Sequence, residues 1–284
     1  MNGRAHDGTL AHETRAARVE AEGYDRVDPW GARDSRAERV AEPIGSATDP
    51  WNLHRVIPAK GAREIVDAPR VVALVFAGGD PVDGDVAARL PTDAATVVAA
   101  DSGVEQALAL GRAVDLVVGD FDSADPSAVD AAVAAGAEVR RYPQAKAASD
   151  LELALHAARE GGASRLIVVG GAGGRLDHLL ANLLLLASPS FADVDIEAMV
   201  GRALVTVIRH VARLTGAPGD LCSLFAVGGP AHEVRTAGLQ YPLDGEELLP
   251  GSTRGLSNEL VEPVATVSLE HGTLLAVQPE SGGS

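Results

Sequence analysis

The sequence predicts a mostly parallel, layered α/β sheet followed by a small all-β sandwich domain. From Pro69 onwards, apolar runs rich in β-branched residues alternate with stretches that carry helical signals, which is typical of a parallel sheet covered by helices. After about Ala203 the helical period disappears, and short strand-like runs follow between Gly and Pro turns. That spacing indicates antiparallel strands packed as a sandwich.

Six strands are predicted in the first part, over residues 71–76, 96–100, 114–118, 138–142, 165–169 and 194–199. The helices between them have clear boundary residues. Asp125 is an N-cap before Pro126, and Gly136 ends that helix. Ser149 begins a capping box. The leucine-rich helix that begins near Asp177 is apolar around much of its girth, so we expect it to be buried.

Four later strands are predicted, over residues 204–209, 222–227, 265–269 and 273–278. The chain is thereby divided into a flexible N-terminal extension at 1–68, an α/β domain at 69–202 and a β-sandwich domain at 203–284. The extension contains scattered charges, Gly and Pro, and it has no sustained helical or strand period.

The composition is that of a globular protein of 284 residues, 46% of them apolar. A net charge of -16 argues against a nucleic-acid partner or an anionic membrane surface, because both require a basic patch. No apolar run approaches the roughly 20 residues that cross a bilayer, and the N-terminus is polar. The lone Cys222 excludes an intramolecular disulfide. We therefore expect a cytoplasmic protein that binds neither nucleic acid nor membranes.

Two carboxylates, Asp120 and Asp122, lie one residue apart directly after a predicted strand. Residues two apart in an extended or tightly turned segment project to the same side, so this pair is suited to one hard cation. The alternative is that both side chains only make turn hydrogen bonds to the backbone.

Polar motifs follow four of the predicted strands, at residues 78–80, 101–103, 119–123 and 170–175. In open α/β sheets, ligands bind at the carboxyl ends of the strands, near the point where the strand order reverses. The four motifs combine glycine, carboxylate and arginine at one predicted edge. This combination favours a ligand site over a set of unrelated turns.

The segment after the fifth strand has the properties of a phosphate cradle. Its glycines permit close backbone approach and positive φ, and the following helix offers unpaired N–H groups; they are Gly170, Gly171, Gly173 and Gly174. Arg175 is suited to grip two phosphate oxygens. The alternatives are simple loop geometry for the glycines, a helix cap for Asp177 and a structural partner for His178.

These residues resemble the signature blocks of the thiamine pyrophosphokinase (thiamine diphosphokinase) family. The blocks occur in order over about residues 70 to 280, at 119–123, 146–155, 174–182, 238–243, 255–259 and 272–277. The resemblance implies a nucleotide-binding α/β domain followed by a β-sandwich. It also implies a homodimer with active sites between subunits, and Mg²⁺-dependent transfer of the pyrophosphoryl group of ATP to the thiamine hydroxyl.

The resemblance also implies roles for particular residues. The catalytic set is Asp120, Asp122, Lys146, Asp150 and Arg175, of which Asp120, Asp122 and Asp150 are Mg²⁺ ligands. The expected ATP contacts are Asp101, Ser102, Gly103, Gly170, Gly171, Gly174, Arg175, Asp177 and His178. The expected thiamine contacts, Ser257 and Asn258, lie in a segment with no apolar pattern, where turn chemistry is the alternative. Tyr241 occupies a position where a bulky apolar or aromatic residue is typical, and core packing is its other interpretation.

One departure from the family pattern affects the metal site. The family resembles Lys-Asp-x-Thr-Asp where this chain has Lys146-Ala147-Ala148-Ser149-Asp150, so one carboxylate is missing. Two other functions stay open at this point. A nucleotide-sugar glycosyltransferase also uses an Asp-x-Asp metal site, although the 174–178 and 255–259 blocks argue against it. A non-catalytic nucleotide- or thiamine-binding regulator fits Ala147 and the long extension.

Overall fold

The computed structural model describes residues 70–82, 88–173 and 175–279. The flexible extension predicted at 1–68, and the phosphate contact predicted at Gly174, lie outside the described residues.

The first part of the chain forms the parallel half of one long sheet. Its strands are β1 Val72–Phe76, β2 Thr96–Ala100, β3 Leu116–Gly119, β4 Glu138–Arg141, β5 Arg165–Val169 and β6 Asp195–Val200. They lie in the order β6-β5-β1-β2-β3-β4, and every neighbouring pair is parallel. All six predicted strands are therefore present, and the predicted fold class is confirmed.

Four α-helices occur in the described part of the chain: α1 Gly103–Ala109, α2 Pro126–Ala134, α3 Asp150–Glu160 and α4 Leu176–Leu186. Asp125 caps α2 by accepting a hydrogen bond from Ser127 N, and Ser149 caps α3 by accepting one from Glu152 N, as predicted. None of the helices in the described ranges is long and apolar enough to cross a membrane.

Both faces of the parallel half are buried, except at the edge strand β4, which is largely exposed. Ala73 and Val75 of β1 pack on the same side as Leu155 of α3, whereas Leu74 and Phe76 lie in the cluster of the opposite face. Because successive residues of a strand point to opposite faces, a strand covered on both sides is apolar throughout. This explains why the runs of β-branched residues in the sequence predict these strands correctly.

The second part of the chain supplies eight antiparallel strands: β7 Ala203–Ile208, β8 Val211–Thr215, β9 Leu221–Ala226, β10 Ala231–Ala237, β11 Asp244–Leu248, β12 Asn258–Glu259, β13 Val264–Ser268 and β14 Leu274–Gln278. Four of them extend the long sheet in the order β12-β9-β14-β7, and the others form a short sheet, β11-β10-β13-β8. Buried residues of both sheets, such as Leu224 and Val267, belong to one core cluster. The predicted sandwich is confirmed, while the domain division at residues 202 and 203 stays a prediction.

The expectation that the leucine-rich helix is buried is wrong. In α4, Leu176 is 78% exposed, Leu180 55% and Leu184 49%, and only Leu186 is fully buried. Leu183 and Leu185 pack against the core. The helix therefore has one apolar stripe facing the sheet and a second one facing solvent, because the described residues provide no second surface to cover it.

Candidate active site

The carboxyl ends of the parallel strands bring the predicted motifs together. Ala77 N donates to Val169 O at 2.8 Å, Gly171 N donates to Gly78 O at 2.8 Å, and Asp101 N donates to Val118 O at 2.8 Å. The segments after β1, β2, β3 and β5 therefore share one edge of the sheet, as the sequence predicted. This edge includes the point beside β1 where the strand order reverses.

Close backbone approach explains two of the glycines at this edge. A Cβ at Gly103 would lie 2.1 Å from Phe76 O, so only glycine lets α1 begin against β1. A Cβ at Gly173 would lie 2.1 Å from Asp80 Cγ, and Gly173 also has a φ of 85°. Gly170 and Gly171 have φ values of 102° and 77°, so the predicted left-handed glycine segment is present.

Three carboxylates form a compact group at the ends of β2 and β3. Asp101, Asp120 and Asp122 each place a ligand atom within 4.8 Å of the others. Asp101 is buried; one of its carboxylate oxygens accepts a hydrogen bond from Ser123 Oγ, and the other is buried with no hydrogen-bond partner. A buried carboxylate oxygen without a partner beside two further carboxylates fits a hard divalent cation such as Mg²⁺.

Lys146 joins two of the predicted catalytic acids. Its Nζ lies 2.9 Å from Asp120 Oδ2 and 2.9 Å from Asp150 Oδ1, and its side chain is only 12% exposed. The hydrogen bond from Lys146 holds the pKa of Asp120 below its ordinary value. Burial raises the pKa of Asp150 above its ordinary value, although Lys146 opposes that shift. Burial would lower the pKa of Lys146, but its hydrogen bonds to Asp120 and Asp150 raise it above the ordinary value.

The predicted phosphate-binding residues at the start of α4 are exposed. Arg175 Nη2 lies 2.5 Å from Asp177 Oδ2, and this pairing lowers the pKa of Asp177 to about 2. The helix begins at Leu176 with Arg175 at the N-cap position, so the alternative of a capping role for Asp177 is wrong. His178 is exposed in the first turn.

The predicted thiamine residues lie at the other end of the long sheet. Ser257 has a φ of 55°, and Asn258 begins the short strand β12 rather than lying in a loop. Asn258 is buried, and its side chain accepts from Tyr241 N at 2.9 Å and donates to Tyr241 O at 2.7 Å. Tyr241 is 56% exposed, so the interpretation of Tyr241 as a core residue is wrong.

These two groups of residues do not meet within one chain. Eight strand steps separate β12 from β3 in the long sheet. Since neighbouring strands lie about 4.8 Å apart, Asn258 and Asp120 are on the order of 40 Å apart along the sheet. The order of the motifs along the sequence does not predict this separation, because the separation depends on which strands pair.

Sequence reasoning missed some polar partners of the acidic group. Asp101 was predicted as an ATP contact and not as part of a carboxylate group. Gln144 Nε2 donates to Asp122 Oδ2 at 2.8 Å, and Arg141 Nη1 donates to Asp120 O at 3.0 Å. The available signal was the position of Arg141 at the end of β4 and of Gln144 shortly after it, because the neighbouring strand β3 ends at the acidic motif.

The fold and the site define an α/β protein that carries a cluster of three carboxylates and a glycine-rich segment at the strand ends and is joined to a β-sandwich. Residues 87–198 match the family described as thiamin pyrophosphokinase, catalytic domain, and residues 209–274 match the thiamin pyrophosphokinase vitamin B1 binding domain. The two matches together cover more than half of the chain. The chain belongs to the thiamin pyrophosphokinase family.

Individual relatives agree with this assignment. Thiamine pyrophosphokinase of Bacillus subtilis is 28% identical over 194 residues, which are 66% of this chain and 84% of that protein. A crystal structure of thiamin pyrophosphokinase from Geobacillus thermodenitrificans has a TM-score of 0.62 and 29% identity, covering 75% of this chain and 98% of that one. A Bacillus subtilis thiamine pyrophosphokinase structure, with a TM-score of 0.65 and 24% identity, covers 74% and 100%, and it supports the fold.

Proposed function

We propose that this protein is a Mg²⁺-dependent thiamine diphosphokinase, which converts ATP and thiamine to AMP and thiamine diphosphate. The observation that carries the proposal is the group of Asp101, Asp120 and Asp122 at the strand ends, with Lys146 beside it, in a chain of this family. A cytoplasmic location, expected from the sequence, is part of the proposal.

Asp101, Asp120 and Asp122 are the residues that would hold Mg²⁺. When bound there, the ion would neutralise phosphate charge and help to orient the phosphates of ATP. Asp150, which the sequence predicts as a ligand, is not one of these three. It pairs with Lys146, which also pairs with Asp120. With Ala147 in place of the family carboxylate, these three carboxylates would still supply oxygen ligands, and water and phosphate oxygens would supply the others.

The reaction is a displacement at the β-phosphorus of ATP. The thiamine hydroxyl oxygen forms a bond to that phosphorus and loses its proton to water, and the bond between the phosphorus and the oxygen that bridges the α- and β-phosphates breaks. The bridging oxygen leaves on AMP with the electron pair. Lys146 and Arg175 supply positive charge to the transition state. The N–H groups of Gly170 and Gly171 donate to Met199 O and Gly78 O, so these glycines shape the edge that Asp101, Ser102 and Gly103 also line. The backbone N–H groups offered to the phosphates are those in the first turn of α4.

Thiamine is assigned to the end of the sheet that contains Ser257 and Asn258. The buried amide of Asn258 binds both backbone polar groups of Tyr241, so it fixes an exposed aromatic residue at the surface. An aromatic face held in this way is suited to stack on a flat heterocyclic cation. Asn258 then acts on thiamine through Tyr241 rather than by direct contact.

We also propose a homodimer, which the distance between these two ends of the sheet supports. ATP bound at Asp120 and thiamine bound at Tyr241 of the same chain would be on the order of 40 Å apart, so the proposal assigns the two ends of each active site to different subunits. The exposed leucines of α4 lie beside the ATP end, and they offer an apolar surface for the second subunit.

An assay of AMP release from ATP, with and without thiamine, tests the proposal. We expect AMP formation that requires both thiamine and Mg²⁺. The glycosyltransferase alternative predicts no AMP from ATP and thiamine but hydrolysis or transfer from nucleotide sugars. The regulator alternative predicts that both ligands bind without turnover.

A further inference from the structure

The loop that carries Asp120 and Asp122 has a backbone conformation that its sequence disfavours. Phe121 has a φ of 64°, in the left-handed region, which is a genuine outlier for a bulky side chain. Asp122 N donates to Asp120 Oδ1 at 3.3 Å within this turn, so the conformation and the closeness of the two carboxylates are linked. A contact from outside the loop is needed to keep a turn that is unfavourable by itself.

Arg141 makes two such contacts. Its Cζ lies 4.5 Å from the centroid of the Phe121 ring, and its Nη1 donates to Asp120 O at 3.0 Å. Its own backbone is fixed, because Arg141 ends β4 opposite Gly119 in the parallel register, and Tyr142 N donates to Gly119 O at 2.9 Å. The guanidinium therefore contacts both the ring and the backbone of the loop, and the strand pairing fixes the backbone from which it extends.

We propose that Arg141 is a positioning residue that holds the Asp120–Asp122 loop in its left-handed turn through Phe121, so that the carboxylates are preorganised for a divalent cation. The proposal rests on the proposed function, because the cation is the one that this reaction uses. Gln144 and Lys146 contact the carboxylates themselves, whereas Arg141 contacts the backbone and the ring. Its effect on a cation is therefore indirect.

The direction of the change in cation affinity on removal of Arg141 distinguishes a positioning role from a purely electrostatic one. A positive charge beside three carboxylates weakens the binding of a cation, so its removal alone would tighten that binding. Loss of a positioning contact does the opposite, because the carboxylates are no longer held together. Arg140 is the matched control: it is the preceding residue of the same strand, and it pairs with Glu138.

The test is a titration of the full chain with Mn²⁺ alone, followed by the electron paramagnetic resonance signal of the free ion. We expect Arg141→Ala to raise the Mn²⁺ Kd by roughly 5- to 20-fold, and Arg140→Ala to leave it unchanged or lower it. In the AMP assay, Arg141→Ala should raise the Mg²⁺ concentration for half-maximal rate more than it lowers the maximal rate. Unchanged Mn²⁺ binding together with a raised KM for ATP would overturn the proposal, since Arg141 would then contact the nucleotide.

A double variant tests whether Arg141 acts through Phe121. Glycine adopts positive φ without strain and has no ring, so in a Phe121→Gly background the added Arg141→Ala change should raise the Mn²⁺ Kd less than about twofold. Equal effects in both backgrounds would overturn the proposal, as would a wild-type chain that does not bind Mn²⁺. If the wild-type chain binds Mn²⁺ but forms no AMP, the proposed function fails, and the titrations still decide the role of Arg141.

Discussion

Gly119 shows how closely the acidic site depends on a single residue. A Cβ at this position would lie 3.2 Å from Asp101 Cβ and 3.3 Å from Asp150 Oδ1. The glycine at the end of β3 therefore lets Asp101, which follows β2, and Asp150 of α3 approach the Asp120–Asp122 loop. Any side chain here would push these groups apart, although Gly119 itself contributes no polar side-chain atom.

Replacing Asp120 by Asn tests the metal site at the same scale. The isosteric amide removes one anionic ligand, so we expect turnover to fall at least about 100-fold while the melting temperature stays close to that of the wild type. Asp125→Asn is the control, because Asn is also a good N-cap for α2. Kinetics and thermal unfolding of both variants decide the point; near-native turnover of Asp120→Asn would remove this residue from the metal site.

The reactivity of Cys222 can be predicted from its environment. The residue is buried, and burial raises the pKa of its thiol to about 11. Relative to an ordinary pKa of 9.0, the thiolate fraction at pH 8 falls about 100-fold. An aromatic disulfide reagent at pH 8 should therefore label the folded protein slowly and release one equivalent after unfolding in denaturant. Fast labelling of the folded protein would show that Cys222 is accessible.

At the scale of elements, α4 has an apolar stripe that the described chain leaves open. We expect Leu180→Lys to shift the protein from dimer to monomer in sizing experiments, because the charge would have to be buried against the second subunit. The isolated fold should keep its stability, since Leu180 is already exposed. Val133→Lys on α2 is the control for an exposed apolar residue elsewhere. A dimer that survives Leu180→Lys would place the interface on another surface.

The strands differ in how well their sequence predicts them. β2 and β5 match the predicted ranges residue for residue, because buried parallel strands are continuous apolar runs. β11 was not predicted, since its sequence Asp-Gly-Glu-Glu-Leu buries only Leu248 and lies at a sheet edge. The pair of Asp120 and Asp122 was predicted from its spacing, its position after a strand and the family resemblance. The contribution of Asp101 depends on the pairing of β2 with β3, which one sequence does not specify.

At the scale of the whole molecule, the N-terminal extension is expected to be dispensable. Residues 1–68 contain 10 Lys or Arg and 12 Asp or Glu, so the acidic character belongs mostly to the rest of the chain. A chain that begins at Ala68 keeps the ion pair of Arg70 with Asp195 and all of β1. We expect it to remain soluble and dimeric, with a rate within about twofold of the full chain. A large loss of activity in steady-state kinetics would support a regulatory role of the extension.

Mixing two variants that are impaired at low thiamine tests whether each active site is shared between subunits. Asp120→Asn damages the ATP end of the sheet, and Asn258→Ala damages the thiamine end, where lost and unpaired hydrogen bonds should weaken thiamine binding by about 1–3 kcal/mol. In a mixed dimer, one site combines both damaged ends and the other combines two intact ends. After subunit exchange at equal concentrations, half of the dimers are mixed, so activity at low thiamine should recover to about a quarter of the wild-type value. If both substrates reacted within one chain, mixing would restore nothing above the average of the two variants.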